Sequence, residues 1–191
     1  MNNIRILILI SIVFLISGCS IKTAGYNPDA KTANLLNEYE LNKVSIISKK
    51  NENLGDLNYK LPFRGLGGFL PAEGGNFTNF IVLSLKQQLQ QNNLIDENSN
   101  YVIILELLEN HSSMWDFSTN YYKITANFNV TKNEKSIYNR DITIVHTFPS
   151  SFVGQIAGEY AINNYPIAIR KLITEFLLDK DFLIAIEKRL K

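Results

Sequence analysis

Reactive side chains are scarce in this chain of 191 residues, which holds one cysteine, Cys19, and two histidines, His111 and His146. A thiol is the strongest ordinary nucleophile among them once it loses its proton. Cys19 follows Leu15-Ile16-Ser17-Gly18, directly after an apolar run, and the small Ser17 and Gly18 let the backbone enter a peptidase cleft beside that thiol. Neither histidine has a second His or Cys at ligand spacing, and no His-Glu-x-x-His helix occurs, so no metal is expected. His146 reads as a structural or interfacial residue. No Gly-x-Ser-x-Gly elbow is present to expose a serine nucleophile. The acid pairs Glu106 with Glu109 and Asp179 with Asp181 read as surface charge and helix caps. In the glycine-rich stretch from Phe63 to Asn76, Gly65 and Gly67 match two places of a dinucleotide fingerprint. The third place falls on Leu70, and no Gly-Lys-Ser or Gly-Lys-Thr follows. The expectation is a protein that is not an enzyme and holds no cofactor.

What precedes Cys19 has the parts of a secretion signal, with Arg5 as the positive flank and Ile6 to Ile16 as the apolar stretch. As a helix that stretch reaches about 16 Å, short of a hydrocarbon core of about 30 Å. With Leu15, Ile16, Ser17 and Gly18 as the cleavage signal, the arrangement resembles the lipobox of bacterial lipoproteins. That resemblance implies a diacylglycerol on the Cys19 thiol, cleavage before Cys19 and acylation of the new α-amino group. Inner-membrane retention in enteric-type lipoproteins commonly goes with Asp after the cysteine. Here Ser20 stands there, which implies the outer membrane, on its periplasmic side.

Cleavage removes Arg5 and no acid, leaving 18 of the 19 basic residues against 18 acidic ones. A neutral mature chain has no general electrostatic drive toward nucleic acid. With a single cysteine no intramolecular disulfide can form, so folding must rest on packing.

The elements that must position any site follow from periodicity. Residues 19–42 read as a lipidated tether: Ser20 to Asn34 are short of large apolar side chains, and fifteen such residues span roughly 50 Å when extended. A single domain over residues 43–191 follows residues 1–18 as signal peptide and this tether. Val44 to Ser48 is the first strand expected, and Lys49 to Asp56 an exposed loop. The glycine-rich stretch is expected to be irregular, either an ordinary loop or one that offers Phe63, Leu66, Phe69 and Leu70 to a partner. Phe77, Ile81, Leu85 and Leu89 predict a helix over Phe77 to Asn92. Tyr101 to Leu108 reads as a buried strand. Tyr122 to Val130 alternates apolar with polar residues, and the turn Lys132-Asn133-Glu134-Lys135 leads into a further strand from Ile137 to Phe148. A helix from Phe152 is expected to kink or restart at Pro166, and Asp179 or Asp181 to open a last short helix. The fold class is therefore α+β, a two-layer domain with an antiparallel sheet of about four strands packed on one face by two long helices. The other face, bearing Lys123, Thr125 and Asn127, stays solvated or meets a partner.

Phe77 to Leu89, Leu94-Ile95 before Tyr101-Val102, Tyr122-Lys123-Ile124, Ala157 to Leu177 and Phe182 to Ile186 give an element order that resembles the YajG family of small bacterial lipoproteins. More distantly it is similar to LptE-type and ABC-transport auxiliary lipoproteins. The resemblance implies a periplasmic domain that binds an envelope protein as adaptor or accessory subunit of an assembly or transport complex. A lipid or glycolipid carrier is the alternative, and a hydrolase of cell-wall or lipid substrates a third class.

Overall fold

In the computed structural model, residues 20–64 and 67–188 are described. Cys19, its cleavage signal Leu15, Ile16, Ser17 and Gly18, and Leu66 lie outside them. Strands β5 (Tyr101–Ser113), β6 (Thr119–Lys132) and β7 (Lys135–Pro149) form an antiparallel meander, and β2 (Ser45–Lys49) pairs parallel to β5. The fold is a two-layer α+β, with one sheet edge parallel where an all-antiparallel sheet was expected. The alternation in β6 is realised, since Tyr122, Ile124, Ala126, Phe128 and Val130 are fully buried. Asn133 and Glu134 both take positive φ, +48° and +66°, as a tight hairpin turn with the twist of its strands requires.

β5 runs five residues beyond the Leu108 at which the apolar run ends. A bulge between Leu107 and Glu109 lets it continue: Leu107 faces Ala126 and Glu109 faces Thr125, so the inward position passes to Asn110. That buried amide is satisfied at both ends, accepting from the Tyr165 hydroxyl at 3.1 Å and donating to the Leu57 carbonyl at 3.1 Å.

Helices α2 (Phe77–Gln90) and α3 (Gly154–Leu177) cover the buried sheet face, and α4 (Lys180–Ile186) closes one end. Asn76 caps α2 by accepting the Asn79 N–H, and Asp179 caps α4 by accepting from Asp181 and Phe182. Ala157, Ala161 and Ala168 on α3 are fully buried, and side chains this small permit close approach to the sheet. The core between the layers is aromatic. Phe176 stacks on Phe128 at 4.1 Å and meets Phe182 at 4.3 Å, while Tyr165 stands edge-on to Tyr122 at 5.1 Å.

Pro166 does not restart the helix; α3 is one helix that runs through it. A proline has no N–H for the carbonyl four residues earlier. That carbonyl, on Ile162, accepts instead from the Ala24 N–H at 2.9 Å.

This bond is one of several that hold the N-terminal segment on the domain. Residues 20–42 are packed on the domain, where a flexible tether was expected. β1 (Ser20–Lys22) is a strand, and α1 (Ala30–Leu36), capped by Asp29, lies against α3 with Thr32 Oγ1 2.9 Å from Thr174 Oγ1. Gln88, fully buried on α2, accepts from the Tyr26 hydroxyl at 3.0 Å and the Asp29 N–H at 2.7 Å, and donates to the Asp29 carbonyl at 3.0 Å. Tyr26, Leu36 and Leu41 supply apolar burial. They are too widely spaced to show a period in sequence.

Two further loops are ordered. Residues Glu52–Asn58 form a 3-10 helix that buries Leu54 within the segment expected as an exposed loop. The glycine-rich stretch forms strands β3 (Leu61–Phe63) and β4 (Gly67–Leu70), and with β1 they make a second sheet in the order β1-β4-β3.

Candidate membrane and partner surfaces

Lys123, Thr125 and Asn127 do share the outer face of the four-stranded sheet, half-buried among their neighbours. Their polar atoms are already paired across strands. Lys123 Nζ lies 2.8 Å from Glu109 Oε2, Thr125 Oγ1 is 2.9 Å from Thr143 Oγ1, and Asn127 donates to Asn139 and Asp141, both at 2.7 Å. Such a ladder stabilises the sheet locally and offers a partner few unpaired groups.

The expectation of a docking loop at Phe63, Phe69 and Leu70 is overturned. Phe69 is 1% exposed, Phe63 tilts against it at 5.0 Å, and Leu70 is half-buried. Strand pairing puts Phe63 and Phe69 on one face of the small sheet, and it depends on Gly68. A Cβ there would lie 2.7 Å from the Leu61 carbonyl oxygen, inside contact distance of backbone that cannot swing away.

Next to the β3–β4 turn, Arg64 ties three connections together. Its Nε donates to the Met114 carbonyl at 3.0 Å, and its Nη2 donates to the Asp116 carbonyl at 3.2 Å and the Ser150 hydroxyl at 2.9 Å. The guanidinium also lies 5.1 Å from the Phe117 ring centre. Asp116 Oδ1 accepts the Thr119 and Ser118 N–H groups, which holds its carboxyl below the usual carboxylate range.

The apolar surface at this end went unread in the sequence. Trp115 is 71% exposed, Phe117 58% and Phe152 79%, and Phe117 meets Phe152 edge-on at 5.3 Å; Val153 and Ile156 extend the patch. The signal was present as large apolar residues inside turn-rich segments, Ser113-Met114-Trp115-Asp116-Phe117-Ser118 and Ser150-Ser151-Phe152-Val153. Turn residues set at such positions to be polar leave apolar ones unexplained by packing.

At the opposite end of the sheet lies an open cleft of about 1080 Å³, lined by Glu40, Asn42, Tyr101, Lys132 and Ile184 among others. Lys132 Nζ sits 4.7 Å from the Tyr101 ring centre, and Ile184 is exposed. Thirteen residues of β5 separate the two ends, about 40 Å at roughly 3.3 Å per residue.

The titratable candidates do not converge. His146 is buried, with Nε2 2.9 Å from Asn164 Oδ1 and Nδ1 2.9 Å from Lys171 Nζ. An ammonium can only donate, so Nδ1 accepts and Nε2 carries the proton. Burial lowers its pKa below the ordinary imidazole value and the Lys171 charge adds to that, against the opposing Asn164 hydrogen bond. His111 is exposed, its ring 5.9 Å from that of Tyr121. Glu106 pairs with Lys49 and Glu109 with Lys123. Among the described residues no group of three His, Cys, Asp or Glu is placed to hold a metal ion, and no helix is long and apolar enough to cross a membrane.

No family model and no curated protein matches the chain. Solved structures do. A Xanthomonas campestris protein of the DUF330 family superposes with a TM-score of 0.57 at 12% identity, covering 88% of this chain and 96% of that one. A minor lipoprotein from Acinetobacter baumannii gives a TM-score of 0.47 at 14% identity, covering 80% of this chain and 99% of its own. The shared property is the fold, which this chain has in common with the Xanthomonas protein across nearly its full length.

Proposed function

We propose that this chain is a lipoprotein of the bacterial envelope, acylated on Cys19 and held at the periplasmic side of the outer membrane. Its domain acts as a non-enzymatic adaptor or accessory subunit of an assembly or transport complex. The observation that carries the reading is the docking of the N-terminus. Ser20, the residue bonded to Cys19, pairs with Gly68 in the small sheet, so a lipid on Cys19 fixes a folded domain against a membrane. Ser20 in place of Asp favours the outer membrane. The finer likeness to YajG-type, LptE-type or ABC-transport auxiliary lipoproteins rests on element order.

The partner surface in this reading is the distal cleft around Tyr101, Lys132 and Ile184, because the polar ladder at Lys123, Thr125 and Asn127 is satisfied within the sheet. A lipid carrier requires an apolar groove between the layers. There, among the described residues, Tyr122, Tyr165, Phe80 and Phe128 are fully buried, which favours the adaptor. The test has two arms in cells. Metabolic labelling with palmitate is expected to mark the wild type and not Cys19→Ala. A photo-crosslinker at Lys132 is expected to capture one envelope protein that the same group at Lys123 does not. Labelling that persists in Cys19→Ala refutes the anchor, and no specific capture from Lys132 refutes the adaptor.

A further inference from the structure

The exposed aromatic patch lies at the end of the small sheet where β1 begins with Ser20. Ser20, Gly68 and Pro62 form one row across β1, β4 and β3, and neighbouring strands lie about 4.8 Å apart. Phe63 and Arg64 follow Pro62 directly. Arg64 is bonded to Met114, Asp116 and Ser150, and those connections carry Trp115, Phe117 and Phe152. The Cα of Cys19 lies one peptide, about 3.8 Å, from that of Ser20. An acyl chain on Cys19 therefore enters the bilayer beside the patch. The patch cannot swing away from it, because β1 is paired to β4 and the following residues are held by Ile162 and Gln88.

We infer that Trp115, Phe117, Phe152 and Val153 form a second membrane contact, seated in the headgroup region of the bilayer that holds the Cys19 lipid. The proposal rests on acylation at Cys19. Two considerations choose a lipid surface over a protein as occupant. The chain leaves the domain at this end toward its anchor. Trp settles at the interface between hydrocarbon and water, and Phe is common on the apolar side of segments that lie in it.

Trp115 is the chain's sole tryptophan, so fluorescence reads the patch directly. Acylated full-length protein, purified in detergent and reconstituted into phosphatidylethanolamine–phosphatidylglycerol vesicles, is compared with the same vesicles carrying bromine on the lipid chains. Flotation and intact mass are measured on the same samples. The expected result is a blue-shifted emission, protection from iodide, and loss of emission to brominated lipid that the unbrominated vesicles do not produce. Phe117→Ser with Phe152→Ser is expected to abolish most of that quenching while the protein still floats. Protein that floats with its acyl mass but shows water-exposed, unquenched emission overturns the inference and leaves the anchor standing. Protein with no acyl mass refutes the anchor itself. Emission shielded in native membranes, yet exposed in protein-free vesicles, assigns the patch to a protein and overturns the lipid contact.

Discussion

Replacing Gln88 with Leu tests whether residues 20–42 are part of the domain. Leu keeps the volume of the buried side chain and removes three hydrogen bonds, from Tyr26 Oη, from the Asp29 N–H and to the Asp29 carbonyl. A hydrogen bond contributes about 1 kcal/mol net, and more when its partner stays buried and unpaired. Tyr26 is close to fully buried, whereas Asp29 is half-exposed and can rehydrate when the glutamine is gone. The loss is therefore about 2–3 kcal/mol. It falls on the attachment of the N-terminal segment, because Gln88 touches that segment and the core around α2 stays filled. Native-state hydrogen exchange separates local from global opening. The reporters are the amides of Thr23, bonded to the Leu70 carbonyl, and Ala24, bonded to Ile162. They are expected to exchange about 30- to 140-fold faster in Gln88→Leu, at tenfold per 1.4 kcal/mol. Amides in the centre of β6 should keep their rates. Fast exchange at Thr23 and Ala24 in the wild type, unchanged by the substitution, would refute the docked segment and restore a tether.

Two further outcomes follow from close contacts. Gly68→Ala places a methyl group 2.7 Å from the Leu61 carbonyl oxygen and is expected to cost about 1–3 kcal/mol by overpacking, read as a lower urea midpoint. His146, neutral when folded and facing Lys171 and Asn164, has a pKa lowered by burial. The unfolded chain therefore binds more protons as pH falls through about 6.5, and stability drops with it down to the folded pKa. His146→Gln removes that part of the pH dependence, which urea unfolding between about pH 7.5 and 5.5 measures.

The central sheet and its two long helices were legible because each carries its own period. Tyr122 to Val130 alternate strictly, and Phe77, Ile81, Leu85 and Leu89 recur every four residues. What was not legible depends on distant partners. Nothing local to Tyr26 or Asp29 announces Gln88, which is 62 and 59 residues away. Pro166 signals a helix defect, yet what the defect does is fixed by Ala24. The glycine-rich stretch looked irregular because glycine has no period; its strands exist through pairing with each other and with β1. Among the site residues, Lys123, Thr125 and Asn127 were placed on the correct face by alternation. Phe69 was misplaced, since an apolar residue in a loop and one in a short buried strand look alike in sequence.

A docked N-terminus changes what an anchored domain can reach. A free tether of fifteen residues would let the domain roam to roughly 50 Å from the membrane, and a partner could be met at any height. With β1 paired to β4, a lipid on Cys19, as proposed, would make the end bearing Arg64 and Ser20 the membrane end. With β5 upright on the bilayer, the cleft at Tyr101 and Lys132 would stand about 40 Å above it. A partner for that cleft must present its own surface at that height. A membrane protein flush with the bilayer cannot touch it, whereas one with a periplasmic portion of domain size can. Distance from the membrane thus becomes a selection rule for the partner, and it holds only while Gln88 and Ile162 keep the first residues in place.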